Sequence, residues 1–196
     1  VAVSPASIVA GTATSTITVT ARDANNNPIS GLNVVLSATG TGNTLTQPIA
    51  ATNASGVATG TISSTLSGTK TVSATISATA VTQTATVTVV SGAVSDAQST
   101  VVAAPTTLTA GAATSTITVT ALDANGNPVA GASVTLASTG TGNTIAQPAA
   151  VTNASGVATG TISSTIAEAK SVSATIGAVA VTQTANITVT PATVSA

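Results

Sequence analysis

Seven side chains, three basic and four acidic, carry all the charge-based chemistry open to this 196-residue chain: Arg22, Asp23, Lys70, Asp96, Asp123, Glu168 and Lys170. Two of them sit in the same pattern, Asp23-x-Asn25-x-Asn27 and Asp123-x-Asn125-x-Asn127. Alternate oxygens in a turn can converge on calcium, so these six residues are the metal candidates. Calcium takes 6–8 oxygens and usually several carboxylates. Each cluster offers one, with no bidentate glutamate after it, so the expectation is a turn in which Asp and Asn bond their own backbone. Zinc has no ligands here, because histidine and cysteine are absent.

Covalent catalysis fares no better. An activated Ser or Thr needs a base beside it, and the bases are scattered. Lys70 and Lys170 occupy equivalent strand positions, which reads as a pair of exposed or strand-end charges. Paired carboxylates for glycoside chemistry are lacking, since Asp23 and Asp123 sit in different copies. Gly40-Thr41-Gly42-Asn43 lacks the lysine and helix of a phosphate loop. No catalytic residue and no cofactor is expected.

Composition excludes further classes. Only 4% of residues are charged and the net charge is −1, against about 25% charged in ordinary domains. Nucleic acid calls for clustered Lys and Arg and, for single strands, aromatic platforms; the chain has no Phe, Tyr or Trp. Mean hydropathy is positive, at +0.56, but Thr or Ser interrupts every apolar run, so no spanning helix of about 18 apolar residues is present. The aromatic girdles of a membrane barrel are missing as well. No membrane insertion of this segment is expected. No charged and apolar leader opens the chain, which therefore reads as a mature fragment or an interior piece.

The elements that must position these residues are repeated. Gly11 matches Gly111, Asp23 matches Asp123, Pro28 matches Pro128 and Gln83 matches Gln183, all at an offset of 100. ATSTITVTA (13–21, 113–121) and TNASGVATGTISST (52–65, 152–165) recur unchanged. The prolines at 5, 105 and 191 are spaced 100 and then 86. This spacing divides the chain into one copy at 1–90, a linker or extra segment at 91–104, and a second copy at 105–190. Residues 191–196 then read as the start of a third copy or an exchanged strand.

Within each copy the apolar residues have period two, the signature of strands. Ile17, Val19 and Ala21 share one face, and Thr14, Thr16, Thr18 and Thr20 the other. Turn clusters at 23–28 and 53–56 break the pattern roughly every ten residues. The fold class is all-β: two tandem immunoglobulin-like sandwiches of about seven antiparallel strands each.

A strand of alternating Thr and Val, then D-A-N-x-N-P-[IV]-x-G, T-N-A-S-G-V-A-T and V-S-A-T-I, resembles the bacterial Ig-like domains of the invasin and intimin type (group 1). The likeness spans nearly all of both copies. It implies a β-sandwich used in tandem as the stalk of a bacterial surface adhesin, with related modules on phage structural proteins. It carries no catalytic residues. Its partners would be neighbouring modules of the same or identical chains, with host or surface glycans or proteins met through domains beyond this segment. The location it implies is extracellular, on a cell or virion surface.

The uncharged threonine faces complicate a plain rod, because strand edges usually carry Lys, Pro or bulges against edge-to-edge pairing. Thr14, Thr16, Thr18, Thr20, Pro191 and Val194 are therefore the assembly candidates. Besides the stalk, two settings stay open: a subunit of an extracellular filament or sheath joined by strand or edge contacts, through 91–104 or 190–196, and a phage tail or capsid decoration with weak carbohydrate binding.

Overall fold

Alternation of apolar residues with Ser and Thr builds the longer strands of the protein, such as Ser15–Thr20 and Ser115–Thr120. The computed structural model describes residues 1–193. The chain divides between Gly92 and Ala93 into two units, and each is described by itself.

The strands of the first unit are β1 Ala2–Ser4, β2 Ser7–Val9, β3 Ser15–Thr20, β4 Val34–Ala38, β5 Asn43–Thr46, β6 Val57–Ser64, β7 Gly68–Ile76, β8 Thr79–Ala80 and β9 Ala85–Val90. One sheet has the order β1-β3-β6-β5; the other has β2-β9-β7-β4, with β8 paired to β7. Ile17, Val19, Ile62, Val72, Val87 and Val89 fill the space between them and are all but inaccessible. Burying each contributes about 1.5–3 kcal/mol, which is how a core without aromatic rings holds.

The second unit repeats this plan with β10 Thr100–Ala104, β11 Thr107–Thr109, β12 Ser115–Thr120, β13 Val134–Ser138, β14 Asn143–Ala146, β15 Val157–Ser164, β16 Ala169–Ile176, β17 Val179–Ala180 and β18 Ala185–Thr190. The sheets run β10-β12-β15-β14 and β11-β18-β16-β13, with β17 on β16. Two immunoglobulin-like sandwiches are thus present, as the period-two pattern indicates.

Three details depart from expectation. Each unit has nine strands among the described residues, because the opening strand splits, with β1 in one sheet and, past Pro5, β2 in the other, and because a two-residue strand, β8 or β17, pairs with β7 or β16. The second half of the opening strand pairs parallel, Ile8 opposite Val89 and Leu108 opposite Val189, so the sandwiches are not wholly antiparallel. Residues 91–104 are not a free linker either. Thr100–Ala104 is β10, paired with β12 from Thr100–Thr120 to Ala104–Thr116. Val101 and Ala103 are buried, which holds Thr100–Ala104 in its own sheet.

Turn chemistry closes the strands. Asn26 (φ 70) and Gly126 (φ 79) take the same left-handed position in the two Asp-Ala-Asn turns. Asn and Gly are the residues that tolerate that conformation.

Candidate functional site

In each Asp-x-Asn-x-Asn cluster the aspartate bonds the backbone of its own turn. Asp23 Oδ1 accepts the backbone N–H groups of Asn25 (2.9 Å) and Asn27 (2.8 Å), and Oδ2 accepts Asn27 Nδ2 (3.0 Å). Asp123 does the same with Asn125 and Asn127, at 2.8–3.1 Å. The amide of Asn27 turns its nitrogen, not its oxygen, toward the carboxylate. The donors lower the Asp23 carboxyl below its ordinary range, the Asn27 side chain first and the Asn27 backbone next. The carboxylate oxygens are therefore spent on the turn itself. Among the described residues no three His, Cys, Asp or Glu side chains gather.

The two turns differ in one respect that the sequence hides. Asp23 and Asn27 are exposed, whereas Asp123 and Asn127 are 1% and 4% exposed.

The lysines overturn the expectation of exposed charges. Lys70 and Lys170 are buried because they lie in phase with Val72 and Ala74, and with Val172 and Ala174, on the inward face of β7 and β16. Their stems enter the core and the ammonium groups reach out under the 39–43 and 139–143 loops. Lys70 Nζ donates to Thr41 O at 3.0 Å. Lys170 Nζ donates to Thr141 O at 2.6 Å and to Glu168 Oε1 in a short ion pair. Glu168 Oε1 also accepts the Thr141 N–H at 2.8 Å. Its carboxyl is held below the usual glutamate range, by the Lys170 hydrogen bond first and the Thr141 N–H second. Asn43 Nδ2 bonds the carbonyls of Thr39 and Gly40, at 2.9 and 3.1 Å. The lysine and asparagine thus tie down a loop, and among the described residues neither ammonium is hydrogen-bonded to a hydroxyl.

The threonine face is real but is not an edge. Thr16, Thr18 and Thr20 project outward from β3, an inner strand, and Thr14 precedes it. Thr16 stands between Ser4 and Thr61, and Thr61 opposite Thr46, so one row of hydroxyls crosses the whole sheet. Pro191 follows β18 and is exposed; Val194 lies outside the described residues.

Sequence reasoning missed the residue that guards the true edge. β4 borders its sheet, and Gln47 lays its amide along it. Leu36 N–H donates to Gln47 Oε1 at 2.7 Å and Gln47 Nε2 donates to Leu36 O at 2.9 Å. Gln147 and Leu136 repeat the pair at 2.7 and 2.8 Å. A side chain here stands in for a neighbouring strand. The only sequence signal is the repeated Gln-Pro after β5 and β14.

Comparisons with known proteins agree with this geometry. The profile of the bacterial Ig-like domain (group 1) matches residues 1–90 and 98–190. The chain is similar to Yersinia pseudotuberculosis InvD, with 28% identity and a TM-score of 0.72 over 97% of this chain and 57% of that one. It is similar to the Escherichia coli adhesin FdeC, with 30% identity and a TM-score of 0.77 over 99% and 63%. It is also similar to invasin, a bacterial integrin-binding protein, with 25% identity and a TM-score of 0.53 over 93% and 37%. The chain thus spans less than two thirds of each of these structures. No curated protein matches it. No helix among the described residues is long and apolar enough to cross a membrane. With the profile covering nearly all of both repeats, the chain belongs to the bacterial Ig-like domain (group 1) family.

Proposed function

We propose that this segment is a non-catalytic spacer in the stalk of a bacterial cell-surface adhesin. The observation that carries the reading is the unbroken succession of two family modules, similar over almost their whole length to an adhesin of known structure. Supporting it, the carboxylates and ammonium groups that could have done chemistry are bonded to their own loops, and the edge strand β4 is occupied by Gln47. The contacts made by the spacer are with neighbouring Ig-like modules, and any host ligand is met by other domains. A filament or sheath subunit would need open edges, and the Gln47 and Gln147 pairs close one of them in each unit, at β4 and β13.

Solution scattering and sedimentation on the isolated chain test the proposal. A monomer whose maximum dimension grows by one fixed increment when a third module is added is the expected result. Concentration-dependent polymers would replace the spacer with the filament. A second test deletes one module from a full-length surface protein carrying this segment. The distance from cell to ligand should shorten while the affinity of the ligand-binding domain stays the same; a lost affinity would place binding in these modules.

A further inference from the structure

The two units share about two thirds of their residues, yet one end of the sandwich is closed in the second and open in the first. In the second unit the closure is made by a short strap, Ala93–Ser99. Val94 is bridged to Asp123 and packs against the core. Ser95 N–H donates to Leu122 O at 2.8 Å. Ser99 Oγ takes the Leu122 N–H at 3.1 Å and bonds Leu122 O at 3.3 Å. Asp96 O accepts the Thr182 N–H at 3.3 Å. Beneath the strap Ile176, Val181, Asp123 and Asn127 are all buried.

In the first unit the same positions are uncovered. Ile76 and Val81 are half-buried, Asp23 and Asn27 are exposed, and Ile29 is 36% exposed. Arg22 stands where Leu122 stands. Its backbone N–H and C=O, on the side that meets Ser99 and Ser95 in the second unit, have no hydrogen bond among the described residues. An open groove of about 510 Å³ runs here, lined by Arg22, Ile29, Leu32, Ile76, Ala80 and Val81 among others. Apolar walls beside one unpaired backbone donor and one unpaired acceptor are what a short peptide strap requires.

We propose that this groove is a docking site for a peptide strap of the 93–99 kind, joined directly ahead of the repeat as Ala93–Ser99 is joined ahead of β10 within its own unit. The strap's β-branched residue enters between Ile29 and Val81. Its first serine gives a backbone N–H to Arg22 O, and its last serine receives the Arg22 N–H. The inference builds on the spacer reading, since it names what closes the end of a spacer module. Its test is nonetheless separate, because it reads local protection and not reach or assembly.

The register is set by a shared contact: the Val1 and Val101 nitrogens both donate to a glutamine Oε1, of Gln83 and Gln183, at 3.1 and 3.0 Å. The sequence of residues 91–100 fused directly before Val1 therefore places a strap in the position that Ala93–Ser99 holds. Amide hydrogen exchange at Arg22 should slow by at least about tenfold in the fused chain, as two hydrogen bonds form, and the first unit should melt at a higher temperature. The same fusion with aspartate at the strap's valine and alanine at its last serine should lose both effects. In the parent chain, Val94→Asp with Ser99→Ala should speed exchange at Leu122. Unchanged exchange at Arg22 in the fused chain would overturn the proposal, as would equal protection from the altered strap.

Discussion

Removing the amide of Gln147 tests whether one side chain substitutes for a missing strand. In Gln147→Ala, Leu136 loses both partners on the outer side of β13, an acceptor at 2.7 Å and a donor at 2.8 Å. Each such bond is worth about 0.5–1.5 kcal/mol net, so the unit should lose about 1–3 kcal/mol. For a domain of this size, 1 kcal/mol moves the melting temperature by roughly 4–8 °C, which puts the expected fall at roughly 5–20 °C. The first unit keeps Gln47 and serves as the reference within the same molecule. A second consequence follows from the edge itself: with Leu136 N–H and C=O uncovered, β13 offers a pairing template to another chain. Scanning calorimetry should therefore show one of two transitions lowered, and sedimentation should show association rising with concentration. Gln147→Glu separates hydrogen bonding from packing. It keeps the acceptor for Leu136 N–H but sets a carboxylate oxygen against Leu136 O, so at neutral pH it should be no more stable than the alanine variant. An alanine variant that melts within about 2 °C of the parent and stays monomeric would refute the reasoning.

Other perturbations read other parts of the design. Gly160→Ala should lower the second transition, because an added Cβ would sit 2.6 Å from both Ala146 O and Leu136 Cδ1; overpacking of this kind costs about 1–3 kcal/mol, and a raised melting temperature in calorimetry would refute the close approach. The lowered Glu168 pKa means its contribution is present above the unfolded-state value near about 4.3 and is lost as pH falls through the folded value. Glu168→Gln should then flatten the acid limb of the second unit's melting curve, and an unchanged pH profile would count against the Lys170 pair. Asp23→Ala should lower the first transition by freeing the Asn25 and Asn27 amides. Millimolar calcium should leave the unaltered protein's melting curve in place, while a calcium-dependent rise would restore the metal reading of the turn.

Much of this architecture is legible in the chain because threonine and valine alternate so strictly. Ile17 and Val19 inside, Thr16, Thr18 and Thr20 outside follow from period two alone. So, in retrospect, does the burial of Lys70, which keeps phase with Val72 and Ala74; a charge in an apolar phase is read as a strand end only if its long stem is neglected. Val101 and Ala103 likewise continue an alternation across a segment expected to be a linker. What period two cannot show is register between distant strands. The parallel pairing of β2 with β9, and the approach of Gln47 to Leu36, depend on where two sheets meet at an edge, and no local pattern encodes that meeting.

Nor can a local pattern encode the difference between Asp23 and Asp123. Their turns share Asp-Ala-Asn, a left-handed residue and Asn-Pro, with matching hydrogen bonds, yet one carboxylate faces water and the other is sealed. Only the second turn has residues 93–99 beside it, with Val94 bridged to Asp123; those seven residues are part of the second unit. In an array of such units a module that carries a strap has a closed end and a sealed turn. A module without one keeps an apolar groove, an unpaired backbone pair and a solvent-facing carboxylate. The two ends also differ in sequence, with Leu122, Val129 and Ala132 where the first unit has Arg22, Ile29 and Leu32.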